Sequence, residues 1–296
     1  MKTVQVYQYD AFTLEPNKGN PAGVVLNGDA LTTDEMQAIA YEAGFNETAF
    51  LIASSTADFQ IRYFTPQTEV DLCGHATIAT VVAAKSKQLI KEDVNHIQIE
   101  TKAGVQDIAL KLKAGHWEVT MGQNPAQFKS FQGEVSQLLT AIGIDCENLD
   151  SKLPIVYGNT GVWTLMVPVK SLAVCQKMQP HNQAFADILT EEPSASVHPF
   201  CLETSKIGRD MHGRHFSSTF AGTVEDTVTG TAAGVMGAYY VTYIHPDQTT
   251  VHLNIEQGQE MNKDGTIGVA VKKVQGACHV AISGHAVEAH RYTIVL

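Results

Sequence analysis

The sequence predicts an α+β chain built as two similar halves, each wrapping short strands around one buried helix. Three observations carry this. The first is two runs of small uncharged residues, each long enough for a helix. They follow Glu69-Val-Asp-Leu-Cys-Gly74-His-Ala76 and Glu225-Asp-Thr-Val-Thr-Gly230-Thr-Ala232, which match in Glu, Gly and Ala at an offset of 156 residues. The second is a series of short alternating apolar–polar segments, the period-two signature of half-buried strands, on both sides of those runs. The third is length: 296 residues allow one large domain or two of ordinary size.

The elements follow in chain order. Val4, Val6, Tyr7, Tyr9 and Phe12 mark an opening strand, Gly19-Asn20-Pro21 a turn, and Ala22 to Leu26 a second strand. Thr32-x-x-Glu35 has the form of a capping box and opens a helix through Met36, Ile39, Ala40 and Ala43, with Gly44 placed to stop it. Glu47 then falls at a helix-to-strand junction, where side chains are often presented to a site. Strands are predicted at 59–65, 96–101, 105–112 and 116–121, and Gly122-Gln123-Asn124-Pro125 offers the best interior boundary. Beyond it come a helix over 134–142, strands at 154–158 and 161–168, a helix near 180–190, strands at 197–203 and 213–220, and the apolar segment 231–244. The predicted domains are 1–121, completed by a C-terminal strand near 288–296, and 122–287. A second echo pairs Gly19-Asn20 before Val24-Val25 with Gly158-Asn159 before Val162-Trp163.

The repeated helix has physical consequences. A helix that is apolar all round is buried on every side, and one rich in Ala, Gly and Thr is thin enough for a closed wall of strands to surround it. Its N-terminus carries unpaired amides and a partial positive charge, which suits a carboxylate or phosphate. Two such N-termini facing one cleft would take a small anionic metabolite, although the chain as a whole carries 20 basic against 31 acidic side chains, a formal −11. That acidity argues against nucleic acid and anionic membrane as partners. Thr227 to Ile244 reaches the lower length limit of a spanning helix, yet its glycines, threonines and terminal His245-Pro246 read as a buried helix. Five cysteines, an odd number with no C-x-x-C, and no apolar leader at the start read as reduced thiols in the cytoplasm.

No Walker A loop, G-x-G-x-x-G turn, G-x-S-x-G elbow or H-E-x-x-H is present. His212-Gly-Arg-His215 is the only tight histidine pair, and in a strand its two rings would face opposite ways, which disfavours a metal.

Five motifs occur in order: Gly19-Asn20-Pro21-Ala22, Asn46-Glu47-Thr48-Ala49-Phe50, Phe64-Thr65-Pro66 with Glu69-Val70-Asp71-Leu72-Cys73-Gly74-His75-Ala76-Thr77, Glu225-Asp226 with Thr229-Gly230, and Glu256-Gln257-Gly258. Together they resemble the PhzF-like phenazine-biosynthesis isomerase family over essentially the whole chain. The resemblance implies a diaminopimelate epimerase-like fold: two pseudo-symmetric domains, each an antiparallel β-barrel around a central α-helix, with the site in the cleft between them. It also implies no metal or organic cofactor, and a homodimer. Glu47 matches the family's catalytic glutamate, which in the phenazine enzyme moves a proton between two ring carbons and leaves an enol to tautomerise. One carboxyl group can do this if burial raises its pKa and it alternates between base and acid. His75 matches an active-site histidine in the first helical turn; an imidazolium there would oppose the helix dipole, so a neutral ring bonding substrate or Glu47 is expected. Asp226 matches a residue that holds a substrate amine or hydroxyl, and Gly74 and Gly230 would let a ligand approach the backbone.

This sequence departs from the family pattern at two places. Thr231 stands where serine is typical and Thr227 where proline is usual, which bears on the substrate more than on the fold. Leu-Cys-Gly-His also resembles the proline racemase motif, in which two thiols act on opposite faces of a carbon. The second thiol should precede Gly230, where Thr229 stands, and a hydroxyl with a far higher pKa cannot replace it. Three readings result: a cofactor-independent isomerase of a small carboxylate, dihydro-hydroxyanthranilate-like or amino-acid-derived; a cysteine-dependent amino-acid racemase or epimerase; and a non-catalytic metabolite-binding relative.

Overall fold

Local signals in the sequence become elements in a computed structural model that describes residues 2–296. It divides into one unit of residues up to Gly122 together with Ser283–Leu296, and a second unit, Gln123–Ile282. The chain thus returns to the first unit at Ser283, earlier than 288, because the C-terminal strand already begins at Ala286 and pairs with the opening strand along its whole length.

In the first unit, β1 (Thr3–Ala11) and β2 (Asn20–Val25) form an antiparallel pair. The chain then crosses through α1 (Thr33–Ala43) to β3 (Thr48–Ile52), which runs parallel to β2. The capping box at α1 is complete: Thr32 accepts from the Glu35 amide, the Glu35 carboxylate accepts from the Thr32 amide, and Gly44 ends the helix at φ +69°. Met36, Ile39 and Ala40 of α1 pack with Val4, Val6, Val25, Phe50, Phe64 and Ile294 on one face of the strands. β4 (Phe59–Phe64) pairs with β3 and with the short β5 (Glu69–Val70). After α2 (Gly74–Ser86), β6 (His96–Thr101) joins β4 in parallel and continues antiparallel into β7 (Gly104–Lys113) and β8 (His116–Gly122). α2 packs against β1, β2, β3, β8 and the C-terminal strand, so it is walled in from several directions and every residue from Ala76 to Lys85 is buried. Each buried Ile or Val of that helix contributes about 1.5–3 kcal/mol of transfer free energy, and the lack of a polar face leaves it nowhere else to go.

The second unit repeats the plan. β9 (Gln127–Ser130), α3 (Val135–Ala141), β10 (Val156–Asn159) and β11 (Trp163–Pro168) lead through α4 (Leu172–Lys177) and α5 (Phe185–Ile188) to β12 (Ser196–Cys201), which is parallel to β11. β13 (Met211–Gly213), β14 (His215–Phe216) and β15 (Glu225–Asp226) precede α6 (Gly230–Tyr239). β16 (Thr250–Gln257) then pairs in parallel with β13 and antiparallel with β17 (Gly265–Val274), and β18 (Ala277–Gly284) follows. Each unit is therefore mainly antiparallel; every parallel pair spans a helical connection, as such pairs require, whereas β9 and β10 pair antiparallel across α3.

The core helix is thin for a reason visible in its neighbours. A Cβ on Gly158 of β10 would lie 2.2 Å from Val235 Cγ1, and one on Gly237 of α6 would lie 2.5 Å from Val269 Cγ1. Strands and helix approach too closely for larger residues. The apolar run 231–244 does not stay α-helical: it turns into a π-helix at Tyr240–Ile244. Among the described residues no helix is long and apolar enough to cross a membrane.

The predicted strand 213–220 is shorter, and the helix near 180–190 reduces to a 3₁₀ turn plus the single turn α5. In the second echo both Gly-Asn pairs precede the strand expected after them, but at different points: Asn20 opens β2, whereas Gly158-Asn159 closes β10 ahead of β11. The first echo is exceeded. Phe64 sits opposite Glu69 in β4–β5, and Phe216 opposite Glu225 in β14–β15. In each unit an arginine two residues before the phenylalanine forks that glutamate: Arg62 on Glu69 at 2.7 and 2.9 Å, Arg214 on Glu225 at 2.8 and 2.7 Å.

Candidate active site

Glu47 is positioned by main chain before side chain. The loop between α1 and β3 is pinned where the Gly23 amide donates to the Glu47 carbonyl at 3.1 Å, and Gly23 stands opposite Thr48 in the parallel β2–β3 pairing. A Cβ on Gly23 would lie 2.7 Å from Thr48 Oγ1, so the close register needs glycine there. The carboxylate is left about a quarter exposed (23%), open to a ligand.

Cys73, Gly74 and His75 are held by the start of α2. Cys73 occupies the N-cap in extended conformation without a side-chain cap. Its carbonyl accepts from Thr77 Oγ1 at 2.7 Å, and the Thr77 oxygen in turn accepts from Tyr63 Oη at 2.6 Å. Burial pushes the Tyr63 phenol well up, so it remains a proton donor. His75 Nε2 lies 3.3 Å from Glu47 Oε2, and Nδ1 lies 3.4 Å from Cys73 Sγ. A neutral ring satisfies both contacts: Nε2–H donates to the carboxylate and Nδ1 accepts from the thiol. Glu47, Cys73 and His75 thus form one proton-linked chain at a helix N-terminus. They are also the group of metal-type ligands that come within 4.8 Å of one another among the described residues. A cation there would have to displace both ring contacts of His75.

The second unit presents Asp226, Gly230 and Thr231. Asp226 ends β15, and its Oδ2 accepts from Thr229 Oγ1 at 2.5 Å. The cap of α6 is supplied from outside the helix: Gln257 Oε1 accepts from the Thr229 amide at 3.1 Å, while Gln257 Nε2 donates to the Asp226 carbonyl at 2.8 Å. The Glu256-Gln257-Gly258 motif thereby acquires a function that the sequence left blank. Gly258 completes it at φ +94°, where a Cβ would lie 2.4 Å from the Lys263 carbonyl oxygen. The Thr231 carbonyl accepts from Thr160 Oγ1 at 2.9 Å, and its side chain lines a cavity shared with His215.

Glu256 belongs to a buried ionic group. His212 Nδ1 contacts Glu256 Oε1 at 2.9 Å and Nε2 contacts Glu260 Oε1 at 3.0 Å, while Glu256 also accepts from the amides of Ser205 and Lys206. His215 faces another way and meets His198, so the His212/His215 pair does not share a ligand. Burial alone would pull His212 down, but hydrogen bonds to the two carboxylates outweigh it and lift the imidazole from 6.5 to about 9. The folded chain then holds this proton more tightly than the unfolded chain does. Its contribution to stability is complete below pH 6.5 and is lost as pH rises through about 9. Denaturation midpoints are expected to fall across that window in the wild type, and His212→Gln is expected to flatten the fall. Equal slopes in the two proteins would contradict the ionic assignment.

Comparison with known proteins adds a second line of observation. Residues 9–291 match the PhzC-PhzF model, described as phenazine biosynthesis-like protein. A crystal structure of the Bacillus anthracis phenazine biosynthesis protein of the PhzF family is 49% identical and superposes with a TM-score of 0.97, with each chain covered in full (100%). The Bacillus subtilis "uncharacterized isomerase YfhB" is 47% identical over 287 residues, 97% of each chain. The trans-2,3-dihydro-3-hydroxyanthranilate isomerase of Pseudomonas chlororaphis is 28% identical over 97% of this chain and 98% of its own. A hydroxyproline epimerase from Agrobacterium vitis, 14% identical at a TM-score of 0.66 over 99% of this chain and 91% of its own, shares the fold alone. With the two-unit fold, the Glu47–His75 contact and a match along nearly the whole length, the chain belongs to the PhzC-PhzF family of phenazine biosynthesis-like proteins and is an isomerase.

Proposed function

We propose that this isomerase moves a proton between carbons of a small carboxylate metabolite, dihydro-hydroxyanthranilate-like or amino-acid-derived, with Glu47 as its single acid/base. The observation that carries this reading is the 3.3 Å contact between Glu47 Oε2 and His75 Nε2 beside the amide-rich start of α2. As carboxylate, Glu47 takes a proton from a carbon activated by a neighbouring unsaturated or carboxylate group. As carboxylic acid, open to exchange with solvent, it delivers a proton to a second carbon, so the formula is unchanged and the carboxylate is regenerated. His75 orients the carboxylate, and the α2 N-terminus offers partial positive charge to the substrate's anionic group. In the second unit, Asp226, Gly230 and Thr231 are assigned to binding. The family resemblance extends the proposal to a cytoplasmic homodimer, and the acidic composition supports neither a nucleic-acid nor a membrane partner.

The second reading, a thiol-dependent racemase, rests on Cys73 Sγ lying 3.4 Å from an imidazole nitrogen. Against it, Thr229 stands where a second thiol is needed, and its hydroxyl is engaged with Asp226. The two separate on substrate. Offered trans-2,3-dihydro-3-hydroxyanthranilate and the hydroxyproline epimers, the chain is expected to convert the first to a product of equal mass, followed by NMR. Inversion of the amino acids without conversion of the diene would favour the racemase. Binding of either, with no turnover of any, would favour the non-catalytic reading.

A further inference from the structure

The second unit carries a half-open pocket of about 230 Å³ whose wall includes Trp163, Thr164, Ser196, His215, Ser217 and Thr231. Much of its hydroxyl chemistry is spent internally. Ser196 Oγ donates to Thr164 Oγ1 at 2.7 Å, and Ser217 Oγ pairs with Thr223 Oγ1 at 3.0 Å. The imidazole of His215 is different. Its Nδ1 lies 3.1 Å from Nδ1 of His198, and two neutral rings sharing that contact need one N–H and one lone pair.

Which ring donates is decided one step deeper. His198 is fully buried, and its Nε2 lies 3.0 Å from Met236 Sδ. A thioether is a weak acceptor with no proton to give, so the buried ring must carry its own proton on Nε2. His198 Nδ1 is then a lone pair, His215 supplies Nδ1–H, and His215 Nε2 keeps a lone pair. Burial holds both rings below the ordinary histidine range, His198 well below it, although the Asp226 carboxylate pushes His215 back up. Neither ring is therefore charged near neutral pH, and the relay fixes a tautomer without titrating. No hydrogen bond to His215 Nε2 is present among the described residues.

We propose that this pocket is a ligand subsite for a hydroxyl or amino group, with His215 Nε2 as the acceptor and Thr231 beside it at the start of α6. His215 acts here as a specificity-determining residue, and its tautomer is set by His198 and Met236. The subsite rests on the proposed function only in taking a small metabolite that carries such a donor.

The test uses the full chain labelled with ¹⁵N-histidine, assigned with His215→Phe. Long-range ¹H–¹⁵N spectra are expected to show His215 protonated on Nδ1 and His198 on Nε2. Adding 3-hydroxyanthranilate, which carries both donor types, is expected to move the His215 Nε2 resonance, whereas benzoate, which has none, leaves it in place. His215→Phe should weaken 3-hydroxyanthranilate about tenfold, the cost of one hydrogen bond, and benzoate by no more than about twofold. His215→Gln, which restores an acceptor, should recover part of that loss, with melting temperatures confirming that both variants fold. A proton on His215 Nε2, a resonance unmoved by 3-hydroxyanthranilate, or equal losses for both probes would overturn the proposal. Failure of the isomerase reading looks different: the wild type turns over no substrate while the tautomers and the probe shift stay as stated.

Discussion

Replacing Glu47 by glutamine is expected to lower kcat about a thousandfold while leaving KM and the melting temperature nearly unchanged. The amide has the size and planarity of the carboxylate and still meets His75 Nε2, so the loop between α1 and β3 keeps its pin to Gly23. What it loses is the ability to accept a proton from carbon and return it, and removing a positioned acid/base is worth about 10²–10⁴ in rate. The side chain is partly exposed, so little stability rests on it. Cys73→Ser provides the contrast. Its side chain meets His75 Nδ1, and serine still offers an O–H there, so a loss of about tenfold or less is expected. Rates measured on both variants with one substrate decide the matter, since a thiol-dependent enzyme would show the reverse order.

Arg214→Ala is expected to destabilise the fold by about 3–5 kcal/mol, the usual cost of stranding one partner of a buried ion pair. Arg214 and Glu225 are 7% and 11% exposed, and the guanidinium also donates to the carbonyls of Cys175 and Met178 at 2.7 and 3.0 Å. Removing it leaves the Glu225 carboxylate and two carbonyls without that donor. Lysine cannot rescue it, because one ammonium cannot span the carboxylate and both carbonyls in the plane of the fork. The equivalent Arg62→Ala should cost less, about 1–3 kcal/mol, because Glu69 keeps a second cation, Lys102, at 2.6 Å. Urea denaturation of the two variants measures the difference, and equal losses would show that Lys102 and the buried carbonyls do not matter.

Much of this was legible in the chain because the signals are local. The capping box at Thr32 and Glu35, the stop at Gly44 and the strands on either side of α2 each depend on residues within a few positions. The two central helices were legible because a run of small uncharged residues has few other uses. Partners brought together by tertiary pairing were not. Arg214 and Glu225 are eleven positions apart, yet they meet because β14 and β15 pair. One sign of this was available: Arg62-Tyr63-Phe64 and Arg214-His215-Phe216 repeat at an offset of 152, beside the glutamate echo at 156. Gln257 caps α6 from a strand that follows it, so no pattern around Thr229 could reveal it. The parallel pairings of β11 with β12 and of β13 with β16 escape period-two reading, which is blind to strand direction. His215 escaped for a further reason: its chemistry depends on which nitrogen of His198 faces a sulfur atom.

Solvent exchange tests the role of Glu47 most directly. With trans-2,3-dihydro-3-hydroxyanthranilate in D₂O, the wild type is expected to place deuterium on carbon at the new position, as a carboxyl group that exchanges with solvent between its two steps must. Glu47→Gln should place none above the uncatalysed background. Deuterium delivered to carbon at the wild-type rate by Glu47→Gln would contradict the assignment, and its loss in Cys73→Ser alone would give the proton to the thiol.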